Sequence, residues 1–87
     1  MFKSKADGGK NNLCGETMMK IRKGKKPKMS QRALADRLQL FGMDVDKNAV
    51  QRIEAGKRFV TDIELVAICR ALNISLDDLL PINGEDA

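Results

Sequence analysis

Apolar residues in this chain recur at three- and four-residue spacing, in short segments separated by glycine, proline and capping residues. That spacing places apolar side chains on one face of an α-helix, and the alternation typical of β-strands is absent. With 87 residues and 43% hydrophobic content, the chain can bury the core of one small domain. The sequence therefore predicts a single all-α domain built from five short helices.

The first two predicted helices lie on either side of a proline. Helix 1 carries Met18 and Ile21 at helical spacing and extends to Gly24, after which Pro27 interrupts helical geometry. Ser30 is a favourable N-cap for helix 2. The apolar stripe predicted for helix 2 consists of Leu34, Ala35, Leu38 and Phe41.

Helix 3 is predicted at about 47–55, in the middle of the chain. Asp46 is its N-cap candidate, because an aspartate side chain can accept a hydrogen bond from a free backbone N–H. Val50 and Ile53 form its buried pair, and Gly56 can end the helix in the left-handed conformation.

Capping-box spacing marks the starts of the last two helices. Thr61 with Glu64 predicts helix 4 at about 62–72. Ser75 with Asp78 predicts a short helix 5, which Pro81 stops. The residues that we expect helix 4 to bury are Ile63, Leu65 or Val66, Ile68, Cys69 and Leu72.

The charge of the chain is basic and unevenly distributed. Lys and Arg number 16 against 12 Asp and Glu, and residues 1–37 have a net charge of +8, whereas residues 38–87 have a net charge of −4. Six of the nine residues in KIRKGKKPK, residues 20–28, are basic. This run is either a solvated surface or a source of phosphate attraction, and the asymmetry favours a polyanionic partner.

The residue inventory argues against catalysis and metal binding. The chain contains no histidine and only two cysteines, Cys14 and Cys69, so a metal site of the usual ligand spacing is not expected, and no cofactor or catalytic group is evident. The two cysteines are expected to be free thiols, with a disulfide as the alternative. No run has membrane-spanning length and no signal peptide is evident, which predicts a cytoplasmic protein. The absence of a catalytic constellation predicts that it is not an enzyme.

The chain divides into three predicted parts. Residues 1–12 have almost no apolar side chains and are predicted to form a flexible basic N-terminal arm. Residues 13–82 hold all five predicted helices, and residues 83–87 form a short acidic tail.

The outer face of helix 3 is rich in hydrogen-bonding groups. At 100° per residue, Asn48, Gln51 and Arg52 lie opposite the buried pair, with Lys47 at the edge. Asn and Gln can pair with adenine and Arg with guanine in the major groove, and the small Ala55 lets the helix approach. The alternative is an ordinary surface helix with a polar outer face.

Three segments, MSQRALADRL, VDKNAVQRIEAGKR and DIELVAICRALNISLDDLL, together resemble the Xre/Cro-type helix-turn-helix family of phage and bacterial transcriptional repressors. The resemblance covers roughly residues 13–82. It implies a compact five-helix, lambda-repressor-like DNA-binding domain whose helices 2 and 3 form the helix-turn-helix. The implied function is a sequence-specific, double-stranded-DNA-binding transcriptional repressor that reads the major groove with helix 3.

The resemblance also implies roles for individual residues. The base-reading positions are Lys47, Asn48, Gln51 and Arg52. The phosphate-binding set, in which Lys28 and Ser30 join the family positions, is Lys28, Ser30, Gln31, Lys57 and Arg58. Arg22 and Glu54 are expected to form a structural ion pair between helices 1 and 3.

One departure from the family and one alternative function remain open. About five extra residues lie between Leu38 and Val50, so either helix 2 is longer, through Phe41, or the turn is larger, with Phe41 and Val45 as apolar anchors. The alternative function is an antitoxin or adaptor whose C-terminal apolar patch and acidic tail bind a partner protein. The predicted homodimer surface is the same patch, Leu76, Leu79, Leu80 and Ile82, and no small-molecule ligand is evident.

Overall fold

Five α-helices follow one another in residues 9–80, the part of the chain that the computed structural model describes. They are α1 (Gly15–Lys23), α2 (Gln31–Leu40), α3 (Lys47–Glu54), α4 (Asp62–Leu72) and α5 (Leu76–Leu79). No strand occurs within this range, so the all-α prediction is confirmed. Residues 1–8 of the predicted arm, the predicted stop at Pro81, Ile82 and the acidic tail at 83–87 lie outside the described residues.

Side-chain caps begin four of these helices at the predicted residues. Ser30 accepts a hydrogen bond from the N–H of Ala33 at 3.0 Å, and Asp46 accepts one from Ala49 at 2.8 Å. The capping boxes at Thr61 and Ser75 are both complete. Since each cap satisfies a backbone donor that the helix itself leaves free, the helix starts are fixed locally.

The apolar faces of the helices meet in one core. α2 packs against both α3 and α4, and α1 contacts the same two helices. The largest fully buried side chains are Met18, Leu34, Leu38, Ile53, Ile68, Leu72, Leu79, Val50 and Cys14. The buried side of α3 is therefore fixed by α1 and α2, which leaves its other side to solvent.

The turn between α2 and α3 is enlarged, while α2 itself ends at Leu40. The turn occupies residues 41–46, compared with three to four residues in the usual helix-turn-helix. Met43 and Val45 are buried and anchor it, whereas Phe41, which we expected to be an anchor, is 41% exposed. Phe41 follows the last turn of α2, and the left-handed Gly42 (φ +86°) then redirects the chain so that Met43 enters the core instead.

Two expectations for the C-terminal half were wrong. Ile63 is 80% exposed rather than buried, because it precedes the buried Ile68 by five residues and so lies about 140° away around the helix. Leu65 is half-buried and Val66 is exposed, which settles the choice between them. Leu79 is fully buried in the core, so it is not available to the predicted dimer surface.

Cys14 and Cys69 are buried free thiols. Burial raises the pKa of the Cys14 thiol to about 11, so it stays protonated at neutral pH. Within residues 9–80, each helix is too short or too polar to cross a bilayer.

Candidate nucleic-acid interface

Three of the predicted base-reading side chains share one surface on α3. Asn48, Gln51 and Arg52 are all exposed, and none makes a side-chain hydrogen bond to another residue between 9 and 80. Together with Ala55 and Lys57 they line a shallow groove of about 320 Å³. Their donors and acceptors are therefore free to meet a ligand without first breaking contacts within the protein.

Lys47 faces a different depression. A groove of about 350 Å³ lies between α2 and α3 and includes both Lys47 and Asn48. On its α2 side this groove is lined by Arg32, an exposed arginine outside the predicted DNA-binding residues. The signal available in the sequence was its position next to Gln31, in the first turn of the first helix of the pair.

The predicted phosphate-binding residues do not form one cluster. Lys57 is exposed beside the α3 groove. Lys28 and Ser30 line a separate groove of about 530 Å³, together with Lys23. Gln31 instead donates from Nε2 to Glu54 Oε1 at 2.9 Å, which directs its amide toward the domain.

Arg58 is held by an ion pair within the domain. Its Nη2 lies 3.0 Å from Glu64 Oε2, and its Nη1 donates to Glu64 Oε1 at 3.3 Å. Partial burial raises the pKa of Glu64, but hydrogen bonds from Arg58 and from the N–H of Thr61 outweigh it and leave that pKa below its ordinary value. Glu64 is thus ionised at neutral pH, and Arg58 is positioned by the start of α4.

A buried ion pair joins α1, α2 and α3. Arg22 donates from Nε to Glu54 Oε2 at 2.7 Å and from Nη2 to Glu54 Oε1 at 2.9 Å. Its Nη1 donates to the carbonyl of Met29 at 3.0 Å. With the bond from Gln31, this network connects α1, the start of α2 and the last turn of α3. It fixes the orientation of the exposed α3 face.

Two asparagines that precede α1 hold the same C-terminal end of α3 and the loop that follows it. The N–H and Nδ2 of Asn11 donate to the carbonyls of Gly56 and Lys57, at 2.7 and 2.9 Å. Asn12 Nδ2 donates to the carbonyls of Ile53 and Arg58, at 3.1 and 2.8 Å. We call Asn11 and Asn12 the asparagine clamp. Residues 11 and 12 are therefore bonded to the domain, although the sequence assigns them to a flexible arm.

Removing half of the asparagine clamp should measurably destabilise the domain. Asn12→Ala is expected to lower the free energy of unfolding by about 1–2 kcal/mol, because the bonds to two carbonyls and to the N–H of Gly15 are lost. Urea denaturation followed by circular dichroism measures the change. The matched control is Asn48→Ala, an exposed asparagine without such bonds, and an equal effect of the two substitutions would contradict the clamp.

Two further basic residues, Lys25 and Arg37, have hydrogen-bond partners within the domain. Lys25 Nζ donates to the carbonyl of Leu72 at 2.6 Å, and Arg37 Nε donates to the carbonyl of Ala71 at 2.8 Å. Both cations meet the C-terminal end of α4, where free carbonyls and the helix dipole favour positive charge. The basic run at 20–28 is thus partly a structural feature.

The arrangement of α2, the turn and α3 defines a helix-turn-helix with an exposed second helix. A family model described as helix-turn-helix matches residues 18–79, which is more than half of the chain. The chain belongs to this helix-turn-helix family, of the Xre and lambda-repressor-like type, and is a DNA-binding regulator. No curated protein and no solved structure matches it significantly.

Proposed function

We propose that this protein is a sequence-specific repressor that reads the major groove of double-stranded DNA with α3 and acts as a homodimer in the cytoplasm, without catalytic activity. The observation that carries the proposal is the α3 groove. In this groove the side-chain amides of Asn48 and Gln51 and the guanidinium of Arg52 lie on one free surface. These groups match the donor and acceptor patterns of adenine and guanine edges.

The surroundings of the groove support contact with the DNA backbone. Lys57 borders the groove, and Arg32 and Lys47 lie in the neighbouring depression toward α2, which the carboxylates of Asp36 and Asp46 also line. Such cations attract phosphates at any sequence and give binding a steep dependence on salt. We therefore assign base reading to the groove and backbone attraction to its rim.

Selection of preferred duplexes from a random pool tests the proposal directly. At about 150 mM salt, a family of related sites should be enriched over random DNA. A pool with no enriched sequence would contradict base reading by α3. Stronger enrichment in a parallel selection from random single-stranded DNA or RNA would contradict the major-groove assignment.

Two substitutions should separate the two kinds of contact. Arg52→Ala is expected to relax specificity at one base pair and to weaken binding to the selected site by about 1–3 kcal/mol. Lys57→Ala should weaken binding to all sequences alike and reduce the salt dependence. Titrations of specific and random duplexes at several salt concentrations measure both effects, and identical behaviour of the two variants would contradict this division.

The antitoxin or adaptor alternative receives less support from the fold. It depends on an apolar patch at the C-terminus, and Leu79 of that patch is buried in the core. Leu76 remains half-exposed, but the tail that would complete the surface lies outside the described residues. Purification with a bound partner protein, and no DNA selection, would favour this alternative.

A further inference from the structure

The outward face of α4 carries exposed apolar side chains between two opposite charges. Ile63 and Val66 are 80% and 50% exposed, and Asp62 and Arg70 are exposed beside them. We call these four residues the α4 stripe. The opposite side of α4 is buried against the other helices, so the stripe has no role in the core.

The charges of the α4 stripe are placed symmetrically. Asp62 and Arg70 each lie four residues from Val66, which is slightly more than one helical turn, or about 6 Å along the axis. All three therefore point to the same side of the helix. Neither charged side chain makes a hydrogen bond or an ion pair with another residue in the range 9–80.

This symmetry makes the α4 stripe complementary to itself. In an antiparallel pair of α4 helices with a twofold axis at Val66, Asp62 of each copy would lie opposite Arg70 of the second copy. Both ion pairs form at once, which is the defining property of a twofold interface. Ile63 and Val66 of both copies would be covered between them, and apolar burial is the main favourable term in association.

We propose that two copies of this chain pair through the α4 stripe, antiparallel and about a twofold axis at Val66. The pairing gives the homodimer of the proposed function its surface, but it needs no DNA. None of the residues that line the α3 groove belongs to the stripe, so the dimer leaves the groove open. Because one helix face is smaller than a standard interface, the dimer is weak and dissociates on dilution.

Charge exchange between chains tests the pairing without disturbing the core. In Asp62→Arg and in Arg70→Asp, both ion pairs of the dimer become like-charge contacts. Each variant alone should dimerise at least tenfold more weakly than the unchanged protein in sedimentation equilibrium. An equimolar mixture should form a heterodimer, because one chain then offers two arginines and the other two aspartates. The double variant, Asp62→Arg with Arg70→Asp, should dimerise again.

Recovery of dimerisation shows whether a single variant lost the dimer through its charges or through a defect in folding. Asp62→Arg also places a positive charge at the start of α4, where the helix dipole disfavours it. The double variant and the mixture keep that change, so their recovery can come only from the charge pairs. Failure of both to recover, with circular dichroism showing folded chains, would overturn the proposal.

A second pair of variants distinguishes the α4 stripe from the C-terminus. Val66→Glu brings two carboxylates together on the axis and should abolish the dimer, whereas Leu76→Glu, at another exposed apolar position, should not. The reverse result, or an unchanged protein that stays monomeric up to about 1 mM, would overturn the pairing. Enrichment of a DNA site by a monomeric protein would leave base reading by α3 intact, so the two proposals fail separately.

Discussion

Replacing Glu54 by alanine is expected to lower the free energy of unfolding by about 3–5 kcal/mol. The side chains of Arg22 and Glu54 are only 9% and 3% exposed, so removing the carboxylate leaves a buried guanidinium without its countercharge. The amide of Gln31 loses the same acceptor. Since small domains are stable by only about 5–15 kcal/mol, urea denaturation should show a large shift of the midpoint.

Two controls identify the buried charge as the cause. Glu16→Ala removes a carboxylate whose ion pairs with Lys10 and Lys20 are exposed, and it should have little effect on stability. The double variant Arg22→Met with Glu54→Leu removes both charges and should recover most of the loss. If Glu54→Ala were as mild as Glu16→Ala, the pair would not hold the helices together.

The second large effect is expected at Gly15, where α1 approaches the last turn of α3. A Cβ at this position would overlap the carbonyl oxygen of Ile53, which is backbone and cannot rotate away. Gly15→Ala must therefore displace α1 from α3, at a cost of about 3 kcal/mol in the free energy of unfolding. Thermal denaturation followed by circular dichroism measures this cost.

The matched control for Gly15 is at the other end of the same helix. A Cβ at Gly24 would meet its nearest neighbour, the carbonyl oxygen of Lys20, at 3.4 Å, so Gly24→Ala should fit without displacement. Because α3 carries the groove, Gly15→Ala should also weaken binding to a selected DNA site in the fraction that stays folded. Equal stability of the two alanine variants would contradict the close approach of α1 and α3.

The sequence predicts the helix starts well because their chemistry is local. Ser30, Asp46, Thr61 and Ser75 each accept a hydrogen bond from a backbone N–H three residues later. Such bonds depend on neighbours in sequence, which a pattern can show. The exposed face of α3 follows in the same way, since Val50 and Ile53 predict the buried side, which Ala49 and Glu54 share in the structure.

Features that depend on distant contacts were not predictable in the same way. Ile63 fits an apolar helical pattern, but the orientation of α4 is set by where Ile68 and Leu72 meet the other helices. The ion pair of Arg58 with Glu64 depends on how the loop after α3 turns toward α4, because the sequence shows only two opposite charges six residues apart. The clamp by Asn12 joins residues 46 apart in sequence, and nothing in the local pattern of NNLC indicates a distant acceptor.

The asparagine clamp ties the end of α3 and the loop after it to the segment that precedes α1. Proteolytic trimming that stops before Lys10 leaves every bond of the clamp in place. Trimming beyond Asn12 removes them all, although each residue of α3 is still present. Loss of the first twelve residues, which are far from α3 in sequence, would thus loosen the end of α3 and the loop that follows it.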